Sequence, residues 1–146
     1  MSDVDTIRAG YDAFATADLA TIAEGMSPDV VWHVPGRSEL AGDYTGTDAV
    51  FGYFGQLFER SGGTFSAQLR EVGEIAPGLV ACRVRITATM PGGTIDQDVV
   101  QLYRREDDKT LEAWTFPSDL YAFDETLAPA AISLPDARSA AEPVTT

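Results

Sequence analysis

The order of the hydrophobic periodicities in this sequence predicts an α+β fold, in which N-terminal helices pack on an antiparallel sheet. Before Thr64, apolar side chains recur mainly at the three- and four-residue spacing of amphipathic helices. From Thr64 onward they alternate with polar side chains, as in strands that bury one face. Because the helices precede a continuous run of strands, the chain is expected to form an α+β domain.

Two short helices and one strand are predicted at the N-terminal end. The first helix has Ser2 as its expected N-cap, and Asp18 is placed to cap a second helix. Residues 29–34 have the composition of a strand, which Pro35-Gly36 would end. Residues 37–46 are polar and predict a loop. The apolar positions of the first helix are Val4, Ile7, Tyr11 and Phe14.

A third helix is predicted after this loop, with Thr47 as its N-cap and Gly62-Gly63 after its end. Its apolar residues form a stripe broad enough to be buried against the rest of the domain. The residues of this stripe are Val50, Phe51, Phe54, Leu57 and Phe58.

The strands that follow predict a meander whose two faces differ in character. A tight hairpin around residues 90–93 would place Arg85 opposite Asp98 and Thr87 opposite Asp96. Such a charged face suits solvent or a dimer contact. The opposite, mostly apolar face would carry Val80, Cys82, Val84, Ile86, Val99, Gln101 and Tyr103.

The register of the last predicted strand, residues 110–116, stays open. Its hydrophobicity favours Trp114 and Phe116 on the inner, apolar side. A change of register by one residue would place Ala113 and Thr115 there instead, because successive side chains point to opposite faces.

The composition is that of an ordinary globular domain with a strong acidic excess. The 146 residues are 45% hydrophobic and 23% charged, close to the globular average. Ten basic residues against 23 acidic residues give a formal charge of −13. A protein that binds nucleic acid or an anionic membrane neutralises phosphates with clustered lysine and arginine. Neither of these partners is therefore expected.

The few residues capable of binding metals or forming disulfides restrict the chemistry further. Cys82 is the single cysteine and His33 the single histidine, which excludes an internal disulfide framework and a cysteine zinc cage. No metal or other cofactor is expected. No apolar run approaches the ~20 residues of a membrane helix, and the N-terminus lacks a signal-peptide pattern. A cytoplasmic location is therefore expected.

The predicted elements all lie in residues 1–127, which we interpret as one domain. Its last part is a short segment after Pro117 that carries Leu120, Tyr121 and Phe123. Residues 128–146 are rich in Ala, Pro, Ser and Thr and predict a C-terminal tail with little core of its own.

Three segments together resemble the SnoaL-like branch of the NTF2-like superfamily, which includes ketosteroid isomerase, polyketide cyclases and limonene-epoxide hydrolase. They are YDAFATADLATIAEGMSPDVVWHVPG, YTGTDAVFGYF and QLYRREDDKTLEAWTF. The resemblance covers about residues 4–123. It implies a cone-shaped fold in which a bent sheet wraps around the helices and leaves an apolar cavity. It also implies a homodimer that packs through the outer face of the sheet.

The resemblance carries over to chemistry one residue at a time. The carboxylate base of the isomerase matches His33, and its oxyanion aspartate matches Gln101. Its helix-1 tyrosine falls at Gly10 or, with a slip of one residue, at Tyr11, and a further pocket tyrosine falls at Phe54. Because two or three of these four groups are changed, steroid isomerisation itself is not expected.

Three residues are the candidates for catalysis, each with a structural alternative. His33 could act as base or proton shuttle near neutral pH, or its ring could bond to the loop of residues 37–46. Gln101 could donate a hydrogen bond to a developing oxyanion, or its amide could pair with Gln97 or Tyr103. The Tyr11 hydroxyl could polarise a substrate, or it could be satisfied within the core.

The remaining aromatic and apolar candidates are expected to form the core or the wall of a substrate pocket. The leading hypothesis is an acid–base enzyme of the isomerase or cyclase type that acts on an apolar small molecule. The alternative is a ligand-binding or dimerisation module of the same fold without catalysis. The pocket candidates are Phe14, Trp32, Phe54, Phe58, Val99, Trp114 and Phe116.

Overall fold

The computed structural model describes residues 2–127. Within them, the helices and strands follow the predicted order, with the helices of the N-terminal half preceding a sheet of long strands. The α+β prediction is confirmed. The predicted tail, residues 128–146, lies outside the described residues.

The N-terminal helices form where their capping residues predict. α1 spans Asp3–Ala15, and the Ser2 hydroxyl accepts a hydrogen bond from the backbone N–H of Asp5, whose side chain accepts one from Ser2 in return. This capping box satisfies backbone donors that the helix itself leaves unpaired. α2 spans Leu19–Glu24, and the Asp18 carboxylate accepts from the Thr21 N–H at 3.2 Å. Both predicted caps are confirmed.

The first strand is longer than the sequence predicts and has an unpredicted partner. β1 spans Met26–Val34 and pairs antiparallel with β2, Gly42–Thr45, inside the segment expected to be a loop. β2 is a four-residue edge strand without a buried residue. Because such a strand buries neither face, it has no alternation of apolar side chains for the sequence to show.

The third helix begins one residue away from its predicted cap. α3 spans Thr47–Arg60, so Thr47 is the first helical residue and Gly46 is the N-cap. No side chain caps this end. Gly46 has a φ of 93°, a conformation that L-residues with a side chain rarely adopt. The turn from β2 into α3 therefore requires glycine at this position.

The rest of the described chain is a meander of four strands and a last helix. These elements are β3 (Ser66–Ala76), β4 (Leu79–Met90), β5 (Gly93–Glu106), β6 (Lys109–Pro117) and α4 (Leu120–Leu127). The six-stranded sheet has the order β2-β1-β6-β5-β4-β3, in which β1 runs parallel to β6 and the other pairs are antiparallel. Register shifts in β3–β4 and β5–β6 are of the kind that bends a sheet.

The register of the β4–β5 hairpin matches the prediction. Arg85 pairs with Asp98 and Thr87 pairs with Asp96. The face that carries these charged residues is called the outer face here. The opposite, inner face buries Gln101 and its apolar neighbours. Helices α1 and α3 pack against the sheet at β3 and β1, and the core lies between these helices and the inner face.

Candidate functional site

A mostly apolar cavity of about 540 Å³ lies between α1, α3 and the inner face of the sheet. This volume is in the range of small-molecule sites, which are lined mainly by apolar side chains with a few placed polar groups. Of the predicted pocket residues, the structure places four in its lining: Phe14, Trp32, Phe54 and Val99. The polar side chains of the lining include Tyr11, Gln101, Tyr103, Arg105 and Thr115.

Two tyrosine hydroxyls and one amide form a polar cluster on the cavity wall. The hydroxyl oxygens of Tyr11 on α1 and Tyr103 on β5 lie 2.6 Å apart. Gln101 Nε2 donates a long hydrogen bond of 3.5 Å to the Tyr103 hydroxyl. The hydroxyl pair has two O–H groups and uses one between them, so the other can be donated to a ligand. The predicted candidates Tyr11 and Gln101 are thus brought together in the cavity.

Burial keeps both tyrosines in their neutral, proton-donating form. Removal from water raises the pKa of Tyr11 well above its ordinary value, and the nearby Tyr103 adds to this effect. Burial likewise raises the pKa of Tyr103. Both groups therefore stay protonated near neutral pH and can donate hydrogen bonds to an acceptor. Burial also raises the pKa of the Cys82 thiol to about 12, so this residue is not a reactive thiolate.

Arg105 is a lining residue that the sequence analysis missed. Its guanidinium donates from Nε to Asp3 at 3.1 Å, and from Nη1 to the Gly25 carbonyl at 3.0 Å and to the Thr110 hydroxyl at 2.8 Å. Its Nη2 is buried and has no hydrogen-bond partner among the described residues. The signal was present in the alternation of β5, which points Gln101, Tyr103 and Arg105 to the same face.

His33 does not project into the cavity as a catalytic role would require, and its ring instead bonds to the segment of residues 37–46, the alternative that the sequence left open. Trp32 lines the cavity, and neighbouring side chains of a strand point to opposite faces, so His33 lies on the outer face. There its Nδ1 lies 2.7 Å from Asp43 Oδ1 and its Nε2 lies 2.7 Å from Glu112 Oε2. Its ring stacks on Trp114 with the centroids 5.5 Å apart.

These two carboxylates favour a charged imidazole. Partial burial opposes protonation, but the hydrogen bonds with Asp43 and Glu112 outweigh it and raise the pKa of His33. The same contact with His33 lowers the pKa of Glu112. Only a protonated imidazole can donate from both nitrogens. Because both ring nitrogens are bonded to carboxylates, His33 has no free nitrogen with which to remove a proton from a substrate, so its geometry does not suit a base.

Three other pocket candidates lie outside the cavity lining. Trp114 and Phe116 point to the outer face, because Thr115 pairs with Gln101 and fills the inner position. The alternative register, with Ala113 and Thr115 inside, is the correct one. Phe58 packs against Phe14, with ring centroids 5.0 Å apart, but it is not one of the lining residues.

Gln97, the second amide on the inner face, uses both its nitrogen and its oxygen to hold the chain that leads into α4. Its Nε2 donates to the Asp119 carbonyl at 3.1 Å, and its Oε1 accepts from the Asp119 N–H at 3.0 Å and from the Ser118 hydroxyl at 3.3 Å. This amide is structural. Within residues 2–127 no group of three or more His, Cys, Asp or Glu side chains is arranged to hold a metal ion. None of the described helices is long and apolar enough to cross a membrane.

Comparisons with known proteins agree with this fold. Residues 7–113 match the model of the SnoaL-like domain family. An uncharacterized protein of Mycobacterium tuberculosis is 34% identical over 96 residues, which cover 66% of this chain and 73% of that protein. The structure of Bal32a, from a soil-derived mobile gene cassette, superposes with a TM-score of 0.82 at 34% identity and covers 86% of this chain and 95% of that one.

A further solved structure contains a small molecule. TerC, co-crystallised with polyporic acid, superposes with a TM-score of 0.73 at 26% identity, over 86% of this chain and 97% of that one. With a family match over most of its length, the chain belongs to the SnoaL-like family and has the NTF2-like fold. The family and the cavity together identify a small-molecule-binding protein.

Proposed function

We propose that the protein binds an apolar, carbonyl-bearing small molecule in its cavity and promotes isomerisation or cyclisation of it by acid–base chemistry. The observation that carries this proposal is the cluster of Tyr11, Tyr103 and Gln101 in an otherwise apolar wall. Neutral donors that are fixed in a mostly apolar site stabilise negative charge that develops on a carbonyl oxygen. The polyporic acid complex of TerC supports a small organic ligand for this fold.

The step shared by both reactions is enolisation. A water molecule that enters with the ligand takes a proton from the carbon beside the carbonyl and becomes hydronium, which later returns that proton, and the electron pair of the C–H bond moves toward the carbonyl oxygen. The free O–H of the Tyr11–Tyr103 pair stabilises the resulting oxyanion. Return of the proton to a different carbon completes an isomerisation. Attack of the enolate carbon on a second carbonyl, whose oxygen then takes up the proton, completes a cyclisation.

Exchange of α-protons in 2-tetralone tests this role directly. The protein should accelerate hydrogen–deuterium exchange at the α-carbons of this ketone in D₂O, followed by proton NMR. Tyr11→Phe and Tyr103→Phe should each reduce the acceleration by about 10²-fold, the usual effect of losing one oxyanion donor. His33→Gln is the matched control, and its exchange rate should equal that of the wild type. An equal acceleration by all four proteins would contradict the proposed role of the tyrosines.

The second candidate is a ligand-binding module without catalysis. It is favoured by the position of His33 on the outer face, since no imidazole or carboxylate of the described residues bonds to the Tyr11–Tyr103–Gln101 cluster. In this case 2-tetralone would shift the NMR signals of lining residues such as Gln101 while its α-protons exchange at the rate of free solution.

We propose further that the protein is a homodimer that packs through the outer face. Val100 and Phe116 are paired neighbours there, and they are 43% and 51% exposed. Large apolar side chains exposed side by side are typical of interaction sites. Phe116→Glu should shift the mass measured by light scattering from dimer to monomer. Tyr121→Glu, at an 89% exposed residue on α4, is the control and should leave the mass unchanged.

A further inference from the structure

Arg105 lines the cavity, and its side chain is almost completely buried. Its side chain is 1% exposed. Asp3, Gly25 and Thr110 take three of its N–H groups and hold the guanidinium plane in place. A guanidinium has five N–H donors, and the two on Nη2 have no partner among the described residues. Buried polar groups are normally hydrogen-bonded.

We infer that Arg105 is a second recognition point of the cavity, and that it donates from Nη2 to a neutral carbonyl oxygen of the ligand. The ligand would then be a ring compound with oxygen atoms at two ends, one at the tyrosine pair and the other at Arg105. This inference rests on the proposed function, because it assumes that the cluster of Tyr11, Tyr103 and Gln101 binds the first carbonyl.

The alternation of β5 places both donors on the cavity side of one strand. Tyr103 and Arg105 are successive inward residues, and the Cα atoms of such residues lie roughly 7 Å apart. An aromatic ring with carbonyl groups on opposite sides has its oxygens at a similar separation. The cavity of about 540 Å³ has room for such a molecule.

The charge around Arg105 favours a neutral oxygen over a carboxylate. Asp3 already forms an ion pair with the guanidinium at 3.1 Å. Two other acidic residues, Glu24 and Asp108, also line the cavity, and Lys109 is the one cation in the lining besides Arg105. A ligand carboxylate would therefore add a second negative charge to an ion pair that is already neutral, in a chain with a formal charge of −13.

A matched pair of ketones tests the inference without any variant. 1,4-Diacetylbenzene and 4-ethylacetophenone have nearly the same shape but differ in the second carbonyl. The full-length protein is titrated with each while the NMR signal of the Arg105 Nε–H group is followed. Diacetylbenzene should bind about tenfold more tightly, the usual effect of a hydrogen bond from a charged donor, and it alone should shift the Arg105 signal.

Arg105→Lys keeps the charge but removes the spare donors. A lysine has three N–H groups instead of five, and it has no counterpart of Nη2, the group inferred to bind the ligand. This variant should bind diacetylbenzene about tenfold more weakly and 4-ethylacetophenone as the wild type does. Arg104→Lys, at the next position but on the outer face, is the control and should change neither affinity.

Each other outcome identifies what has failed. If 4-ethylacetophenone binds but the second carbonyl adds nothing, the role of Arg105 is wrong and the proposed function stands. If neither ketone binds, both proposals are wrong. If 4-acetylbenzoate binds more tightly than diacetylbenzene and loses this advantage in Arg105→Lys, Arg105 recognises an acid, and the inference of a neutral oxygen is overturned.

Discussion

The two faces of the sheet hold polar residues in opposite ways. On the outer face, His33 lies between two carboxylates at 2.7 Å, and both of its ring nitrogens are engaged. On the inner face, Gln101 has one hydrogen bond of 3.5 Å within the described residues, and the tyrosine pair keeps a spare O–H group. Histidine is the residue type best suited to proton transfer, but the hydrogen-bonding groups of His33 are already occupied. The candidate site is therefore identified by polar groups that are still free to bond to a ligand and not by residue type.

Two adjacent arginines repeat this contrast on one strand. Arg104 points outward and bonds to Glu112 at 3.2 Å in a half-exposed position. Arg105 points inward, is nearly completely buried and keeps one nitrogen without a partner among the described residues. Neighbouring residues of the same type therefore differ in function because strand alternation places them on different faces.

The largest expected effect comes from deleting one aromatic ring on each face. Phe54 is buried and packs edge-to-face on Phe14 and Trp32, with centroids 5.3 Å and 5.2 Å away. Phe54→Ala should lower the free energy of unfolding by about 3 kcal/mol, because a buried ring is lost. Phe116→Ala on the outer face should cost less, because this ring is half-exposed within one protomer, and its loss should come mainly from the proposed dimer contact. Urea unfolding at several protein concentrations measures both, and equal losses would mean that the two faces are not packed differently.

A smaller difference is expected between the two arginines. Arg105→Met removes three hydrogen bonds and leaves Asp3, the Gly25 carbonyl and Thr110 without this partner. The loss should be about 2 kcal/mol, below the usual cost of breaking a buried ion pair, because Asp3 is still reached by solvent. Arg104→Met should cost less than about 1 kcal/mol, as exposed pairs do. Urea unfolding measures the free energy lost in each variant. A larger loss for Arg104→Met than for Arg105→Met would contradict the expected difference between the two faces.

Local patterns predicted most of the fold and only part of the site. The caps at Ser2 and Asp18 and the pairing of Arg85 with Asp98 follow from short-range signals, and all of them are observed. The short edge strand β2 carried no such signal, because it buries neither face.

The site was harder to predict, because its geometry depends on which face a residue occupies. Trp32 and His33 cannot both face the cavity, yet both were expected there. Composition could not fix the register of β6 either, since Thr115 rather than the larger Trp114 lies inside. On the outer face, Trp114 is partly covered by the His33 ring, which stacks on it. The sequence pattern does not show that contact.

The smallest expected effect is a pH dependence that belongs to the outer face alone. The pKa of His33 is raised in the folded protein from its ordinary value of 6.5. A raised pKa contributes stability that is fully present below the unfolded value and is lost as the pH rises through the folded value. His33→Gln should therefore be less stable than the wild type near pH 6, by at most about 1 kcal/mol for a partly exposed pair. This difference should shrink as the pH rises through the folded pKa, above which the histidine is neutral in both states. Urea unfolding across this pH range measures the difference in stability, and a difference that grows with pH would show that the two carboxylates do not stabilise the charged ring.

The hydrogen exchange of 2-tetralone catalysed by the same variant should stay at the wild-type rate at each pH, because His33 and the cavity lie on opposite sides of the sheet.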